Sequence, residues 1–256
     1  MYQVLAFIKY WLLQVDEHSL HSPFVYQLYQ EKIKQAKVGI DPNIEALRHQ
    51  LKKRSQPLEI KDYGAGSRVN DRQIRQVKDI AKTASTPPQF SALLHLLIEH
   101  FEFTTVLELG TSLGLNSLYM SKDPKRALIT FEGDPQLCQM ASTHFEQFDR
   151  KNIQLVQGNI DDSLQPTLNG LSTIDMAYID ANHRYKPTLT YYQAIFEKCH
   201  PKSMIVLDDI HWSKEMNQAW EAIKARPEVS VSIDLFEGGL LFFDPDLTPG
   251  HYVLKF

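Results

Sequence analysis

The sequence predicts an α/β fold: a doubly wound, mostly parallel seven-stranded sheet with a C-terminal antiparallel hairpin, preceded by a mainly helical N-terminal extension. Three observations carry that prediction. From Thr104 onward, short apolar runs alternate with longer stretches of helical periodicity, the pattern of a parallel sheet with crossover helices. The last two apolar runs are separated only by Phe236 to Gly239, too short for a crossover and right for a hairpin. Before Thr104 the periodicity is helical, broken near Ser22-Pro23, Gly39 to Pro42, Pro57, Gly64 to Ser67 and Pro87-Pro88. The boundary is set near residue 85, giving an extension over 1–85 and a main domain over 86–256.

The elements follow in order. In the extension, Val4, Ile8, Trp11 and Val15 fall at helical spacing with Leu5 and Leu12 beside them, so the N-terminus reads as an amphipathic helix. It is too short to span a bilayer, Lys9 and Gln14 interrupt it, and no cleavage site follows it, so it reads neither as a membrane span nor as a signal peptide. Its stripe serves a homodimer and an inward-folding monomer equally well. In the main domain the strands are Thr105 to Leu109, Ala127 to Phe131, Ile153 to Val156, Ile174 to Ile179 and Met204 to Leu207. Helices lie between them at Leu115 to Ser121, Gln136 to Phe148, a short one after Asn159, and Lys186 to Lys198. A helix over Lys214 to Ala225 precedes the hairpin strands Val229 to Leu235 and Leu240 to Phe243.

Composition narrows the function. The chain of 256 residues is 43% apolar, enough for a sizeable core, and its 31 acidic and 27 basic residues are mixed, for a net charge of −4. Without clustered Lys/Arg runs, nucleic acid is not an expected partner. The two cysteines, Cys138 and Cys199, fall in segments read as helical and outside any zinc spacing, which suits small core hydrophobes in a reducing cytoplasm.

In an open α/β sheet, ligands bind beyond the carboxyl ends of the strands. The first strand of the main domain runs into Glu108-Leu109-Gly110-Thr111-Ser112-Leu113-Gly114, and the second ends in Glu132, where a carboxylate can accept both hydroxyls of a ribose. The turn lacks the third glycine of GxGxxG and the lysine of a phosphate loop, so an adenosine without pyrophosphate suits it better than NAD or ATP. The fourth strand runs into Asp180-Ala181-Asn182-His183 and the fifth into Asp208-Asp209-Ile210-His211-Trp212. Adjacent carboxylates at a strand end repel unless a cation or a shared proton intervenes, and Asp180, Asp208 and Asp209 offer an all-oxygen set suited to Mg²⁺ or another divalent ion. The plainer reading of one of the adjacent pair is a cap for the helix near Ser213.

On these motifs, ValLeuGluLeuGlyThrSerLeuGly and PheGluGlyAsp, the sequence resembles the class I S-adenosylmethionine-dependent methyltransferases over about residues 80 to 245. The resemblance implies that Glu108, Gly110, Ser112, Gly114 and Asn116 surround the methionine end of S-adenosylmethionine, with Asp180 also at the cofactor. It implies further that Glu132 holds the ribose and that Gly158, Asn159 and Ile160 face the adenine; Asn159 also reads as a helix N-cap. The ends of the fourth and fifth strands look like the catechol and caffeoyl-CoA type of O-methyltransferase, which implies metal ligands Asp180, Asp208 and Asp209 and an enzyme acting on a small-molecule hydroxyl. Two positions depart from that pattern: Asp209 stands for the usual Asn, and His183 for the usual Lys. With an unperturbed pKa of about 6.5, His183 suits general-base work without a metal, so Asp180, His183 and Asp208 are the catalytic candidates. The competing expectations are an NAD-binding oxidoreductase on a similar sheet and metal-independent N-methylation with His183 as base. The extension is expected to supply an acceptor pocket, a lid or a dimer contact, with His21, Tyr63 and Arg68 as its candidates.

Overall fold

A computed structural model describes residues 2–60 and 73–256. Tyr63 and Arg68 lie outside the described residues. In chain order the elements are α1 (Tyr2–Leu13), α2 (Pro23–Leu28), α3 (Pro42–Leu51), β1 (Pro57–Ile60), β2 (Gln73–Gln76), α4 (Val77–Thr83) and α5 (Pro88–His100). They continue with β3 (Thr105–Leu109), α6 (Leu115–Met120), β4 (Ala127–Glu132), α7 (Pro135–Gln147), β5 (Ile153–Gln157) and α8 (Ile160–Asn169). The last are β6 (Ile174–Ile179), α9 (Tyr185–Phe196), β7 (Cys199–Asp208), α10 (Lys214–Lys224), β8 (Val231–Asp234), β9 (Gly238–Phe242) and β10 (Gly250–Val253).

The predicted fold class is the one observed, a mostly parallel sheet with crossover helices and an antiparallel pair, β8 with β9, near the C-terminus. β10 adds an eighth strand, parallel to β8, to the seven read from the sequence. The N-terminal region is mainly helical as expected and also holds an antiparallel pair, β1 with β2. One local expectation is corrected. Cys199 is not helical but opens β7, where it pairs with Ile174 ahead of a register irregularity.

The chain forms two compact units, Met1–Gln35 with Leu171–Phe256, and Ala36–Gly170. In the second, β3, β4 and β5 run parallel, and α6 and α7 pack with α3, α4 and β1 around Tyr119, Leu118 and Ala141. Apolar runs such as Val106 and Leu107, buried on both faces, explain why these strands read as continuous rather than alternating. In the first unit, β7 pairs parallel with β6 and antiparallel with β9, and α9 packs with α10. Its core includes Tyr178, Tyr192 and Trp220, all but inaccessible to solvent. Helix α1 belongs to this unit: the Tyr10 hydroxyl donates to the Leu254 carbonyl at 2.6 Å, and the Phe7 and Tyr10 rings lie 5.1 and 5.2 Å from Phe236. Among the described residues, no helix is long and apolar enough to cross a membrane.

Candidate active site

The turn between β3 and α6 is built by residues that accept an unusual backbone. Gly110 and Gly114 have φ of 104° and 76°, and Ser112 has 49°. Gly114 is doubly constrained, because a Cβ there would also sit 2.7 Å from the Phe145 ring on α7. The Gly110 and Thr111 amides donate to the Phe131 carbonyl on β4, and buried His144 donates from Nδ1 to the Leu113 carbonyl at 2.8 Å. Burial holds the His144 pKa below the ordinary imidazole value, which keeps the ring a neutral donor.

Glu132 closes this turn from the end of β4. Its carboxylate accepts from the Ser112 amide at 2.8 Å and from the Asp134 amide at 2.9 Å. Burial raises its pKa although these amides favour the charged form. A carboxylate offers about four lone-pair directions, so Glu132 retains acceptor capacity for hydroxyls. At the end of β5, Gly158 has φ of 137°, and a Cβ built there meets nothing within 4 Å, so open space adjoins the strand paired with Glu132. Asn159 caps α8 by accepting from the Asp161 amide, and Ile160 begins that helix, half-buried.

Glu108 is placed differently from a ligand-facing group. It is fully enclosed and accepts from Asn116 Nδ2 at 3.0 Å, Thr130 Oγ1 at 2.6 Å and the Ser117 hydroxyl. Its carboxylate ties β3 to β4 and to α6. Asn116 spends its amide nitrogen on Glu108, while its Oδ1 is buried and unpartnered.

The other unit gathers the second set of predicted residues. Asp180 follows β6 and Asp208 ends β7; Asn182, His183 and Asp209 have φ of 66°, 42° and 52°. Non-glycine residues in that region cost on the order of 1–3 kcal/mol each, and such strain concentrates at functional sites. His183 Nε2 lies 3.3 Å from Asp180 and its Nδ1 4.0 Å from Asp209. That Nδ1 is buried without a hydrogen-bond partner. Burial opposes charge on His183, but the hydrogen bond and charge of Asp180 and the charge of Asp209 outweigh it, and its pKa is raised. Burial, reinforced by the charges of Asp180 and Asp209, holds Asp208 protonated well above the usual carboxylate range. Burial pushes Asp209 up to about 6. Neither carboxylate caps α10, because Ser213 does so by accepting from the Met216 amide.

Among the described residues, no group of three or more His, Cys, Asp or Glu side chains is arranged to hold a metal ion. Asp180 and Asp209 are the charged neighbours of Asp208 at these strand ends.

A cavity of about 230 Å³ opens beside Asp209, lined also by Gln3, His211, Trp212, Phe236 and Glu237. His211 stacks on Phe236 and is fixed by Asp234, 2.8 Å from its Nε2. His211 and Trp212 follow the end of β7, and that position is the signal by which the sequence marks them. Glu237 could have been found from its position in the hairpin turn; nothing local to Gln3 marks it. His21 is exposed just before α2.

Residues 107–210 match the family model of a methyltransferase domain. Over that stretch the chain is similar to methyltransferase domains. A catechol O-methyltransferase of Niastella koreensis is 31% identical over 131 residues, which cover 49% of this chain and 58% of that relative. The chain thus spans less than two thirds of the curated relative it matches. An O-methyltransferase from Bacillus cereus, solved in complex with SAH, superposes with a TM-score of 0.54 at 19% identity, over 62% of this chain and 82% of that one. An SAH-bound methyltransferase from Podospora anserina superposes with a TM-score of 0.56 at 13% identity, over 79% of this chain and 96% of that one. At such identities these structures show a shared fold, to which the strand ends described above belong.

Proposed function

We propose that the protein transfers a methyl group from S-adenosylmethionine to a hydroxyl of a small molecule. The observation that carries this reading is Glu132, a half-buried carboxylate hydrogen-bonded across to the glycine turn and beside the open ground at Gly158. These residues fit an adenosine: Glu132 accepts the ribose hydroxyls, Gly158 and Ile160 border the base, and Gly110, Ser112 and Asn116 border the methionine end. Glu108 acts as a positioning residue that fixes β3 against α6. When bound, S-adenosylmethionine supplies an electrophilic methyl group on a positively charged sulfur.

The chain's own contribution is alignment and proton removal. Alignment can supply up to about 7–11 kcal/mol of a barrier, and a placed base a further factor of about 10²–10⁴. His183 is that base. Its Nε2 is engaged by Asp180, which leaves Nδ1, buried and unpartnered, to take the proton of the acceptor hydroxyl as the oxygen–methyl bond forms and the carbon–sulfur bond breaks. The cavity beside Asp209, walled by Phe236 and Trp212, suits a small planar acceptor.

A second reading rests on Asp208. Burial, reinforced by the charges of Asp180 and Asp209, favours its neutral carboxyl, and a divalent cation at the three aspartates would relieve the repulsion among them and draw the proton from an acceptor hydroxyl. An assay of S-adenosylhomocysteine production with a panel of phenols and catechols, run with EDTA and with added Mg²⁺, separates the two. Turnover that survives EDTA and is lost in His183→Ala supports the base. Turnover restored only by Mg²⁺ and lost in Asp208→Asn supports the cation, and no turnover with any hydroxyl acceptor overturns O-methylation.

A further inference from the structure

The apolar stripe of α1 faces away from the protein that holds the helix. Val4, Ile8 and Trp11 lie along one line of the helix, with Leu5 and Leu12 alongside, a band roughly 120° wide. These five side chains are between 47% and 69% exposed. The opposite face does the anchoring: Ala6 and Tyr10 are buried, Tyr10 bonds to Leu254, and Phe7 packs on Phe236. Because the helix is already fixed by that face, the stripe is not waiting to fold inward.

We propose that this stripe is a symmetric interface between two copies of the chain. Three features favour a second copy over other occupants. The exposed apolar area is on the order of several hundred Å², comparable with the ~800 Å² that each partner contributes to a standard interface. A two-fold axis lets one patch serve both sides, so a self-complementary apolar stripe needs no partner of different chemistry. The helix carries a single charged residue, Lys9, set off the stripe, so pairing brings no like charges together. The same lack of a basic face is wrong for docking on anionic lipid, which amphipathic surface helices achieve with several Lys and Arg.

The test is sedimentation velocity on the full chain from sub-micromolar to about 100 µM, a range in which a standard interface is populated, with the double variant Ile8→Glu/Leu12→Glu and, separately, Trp11→Ala. Both variants alter exposed positions, and circular dichroism confirms that each is folded. The expected result is a wild-type species of twice the 29.5 kDa chain mass and a monomeric double variant. The dissociation constant of Trp11→Ala should rise about tenfold or more, the loss of a large interfacial side chain. A wild type that stays monomeric throughout, a folded double variant that still dimerises, or a monomer that floats with phosphatidylserine vesicles would each overturn the proposal.

Discussion

His183 is held by Asp180 through one ring nitrogen and is free at the other, and this division sets how activity should depend on pH. Only the neutral ring accepts a proton. Its pKa lies above the ordinary 6.5 because Asp180 and Asp209 outweigh burial, so the rate is expected to be lost at low pH and to rise as pH passes through that raised value. Asp180→Asn removes the largest of the contributions that favour charge and should move the acid limb of the profile to lower pH. His183→Ala should lower kcat by about 10²–10⁴-fold while leaving S-adenosylhomocysteine affinity unchanged, as judged by titration calorimetry beside steady-state assays. An acid limb that stays in place in Asp180→Asn would remove Asp180 from this role. At the same scale, Asp208 shows why paired carboxylates at a strand end signal more than packing: with Ser213 capping α10, neither aspartate is spent on the helix.

Among the elements, the β3–α6 turn is the least tolerant of change. Gly114 combines a φ of 76° with a Cβ position 2.7 Å from Phe145, so Gly114→Ala should destabilise the protein by about 1–3 kcal/mol in denaturant unfolding. It should also weaken cofactor binding, since the same turn carries Ser112. Asn159 caps α8, and Asn159→Ala is expected to cost about 1 kcal/mol of stability. The strands from β3 to β9 were legible because runs such as β3 and β6 are mostly apolar, broken by Glu108 and Asp175 and bounded by polar residues or glycine, and the observed limits of these two match the reading. β7 was read as four residues and has ten, because its first half, Cys199 to Ser203, is polar and carries no apolar signal. The stripe on α1 was legible as a stripe, but its direction was not: periodicity locates an apolar face without saying what covers it, and Tyr10 rather than Trp11 turned out to be the inward anchor.

At the scale of the whole molecule, the fold class and both groups of strand-end residues could be read from the sequence, because an α/β sheet places chemistry at the carboxyl ends of its strands. The state of those residues could not. That burial raises the pKa of Asp208, that His183 lies between two carboxylates, and that Glu108 is spent on Asn116, Ser117 and Thr130 all depend on the folded surroundings, which spacing does not encode. The cavity escaped the sequence for a similar reason, since Gln3 and Glu237 are 234 positions apart in the numbering and meet only in the fold. The central claim, that the end of β4 seats an adenosine cofactor of the methyltransferase kind, is tested most directly by calorimetric titration of the protein and of Glu132→Ala with S-adenosylhomocysteine, with NAD as the control ligand. Binding of S-adenosylhomocysteine to the wild type, weakened at least about tenfold in Glu132→Ala, is expected, with no heat from NAD. Equal affinity in both proteins, or binding of NAD in place of S-adenosylhomocysteine, would contradict the assignment.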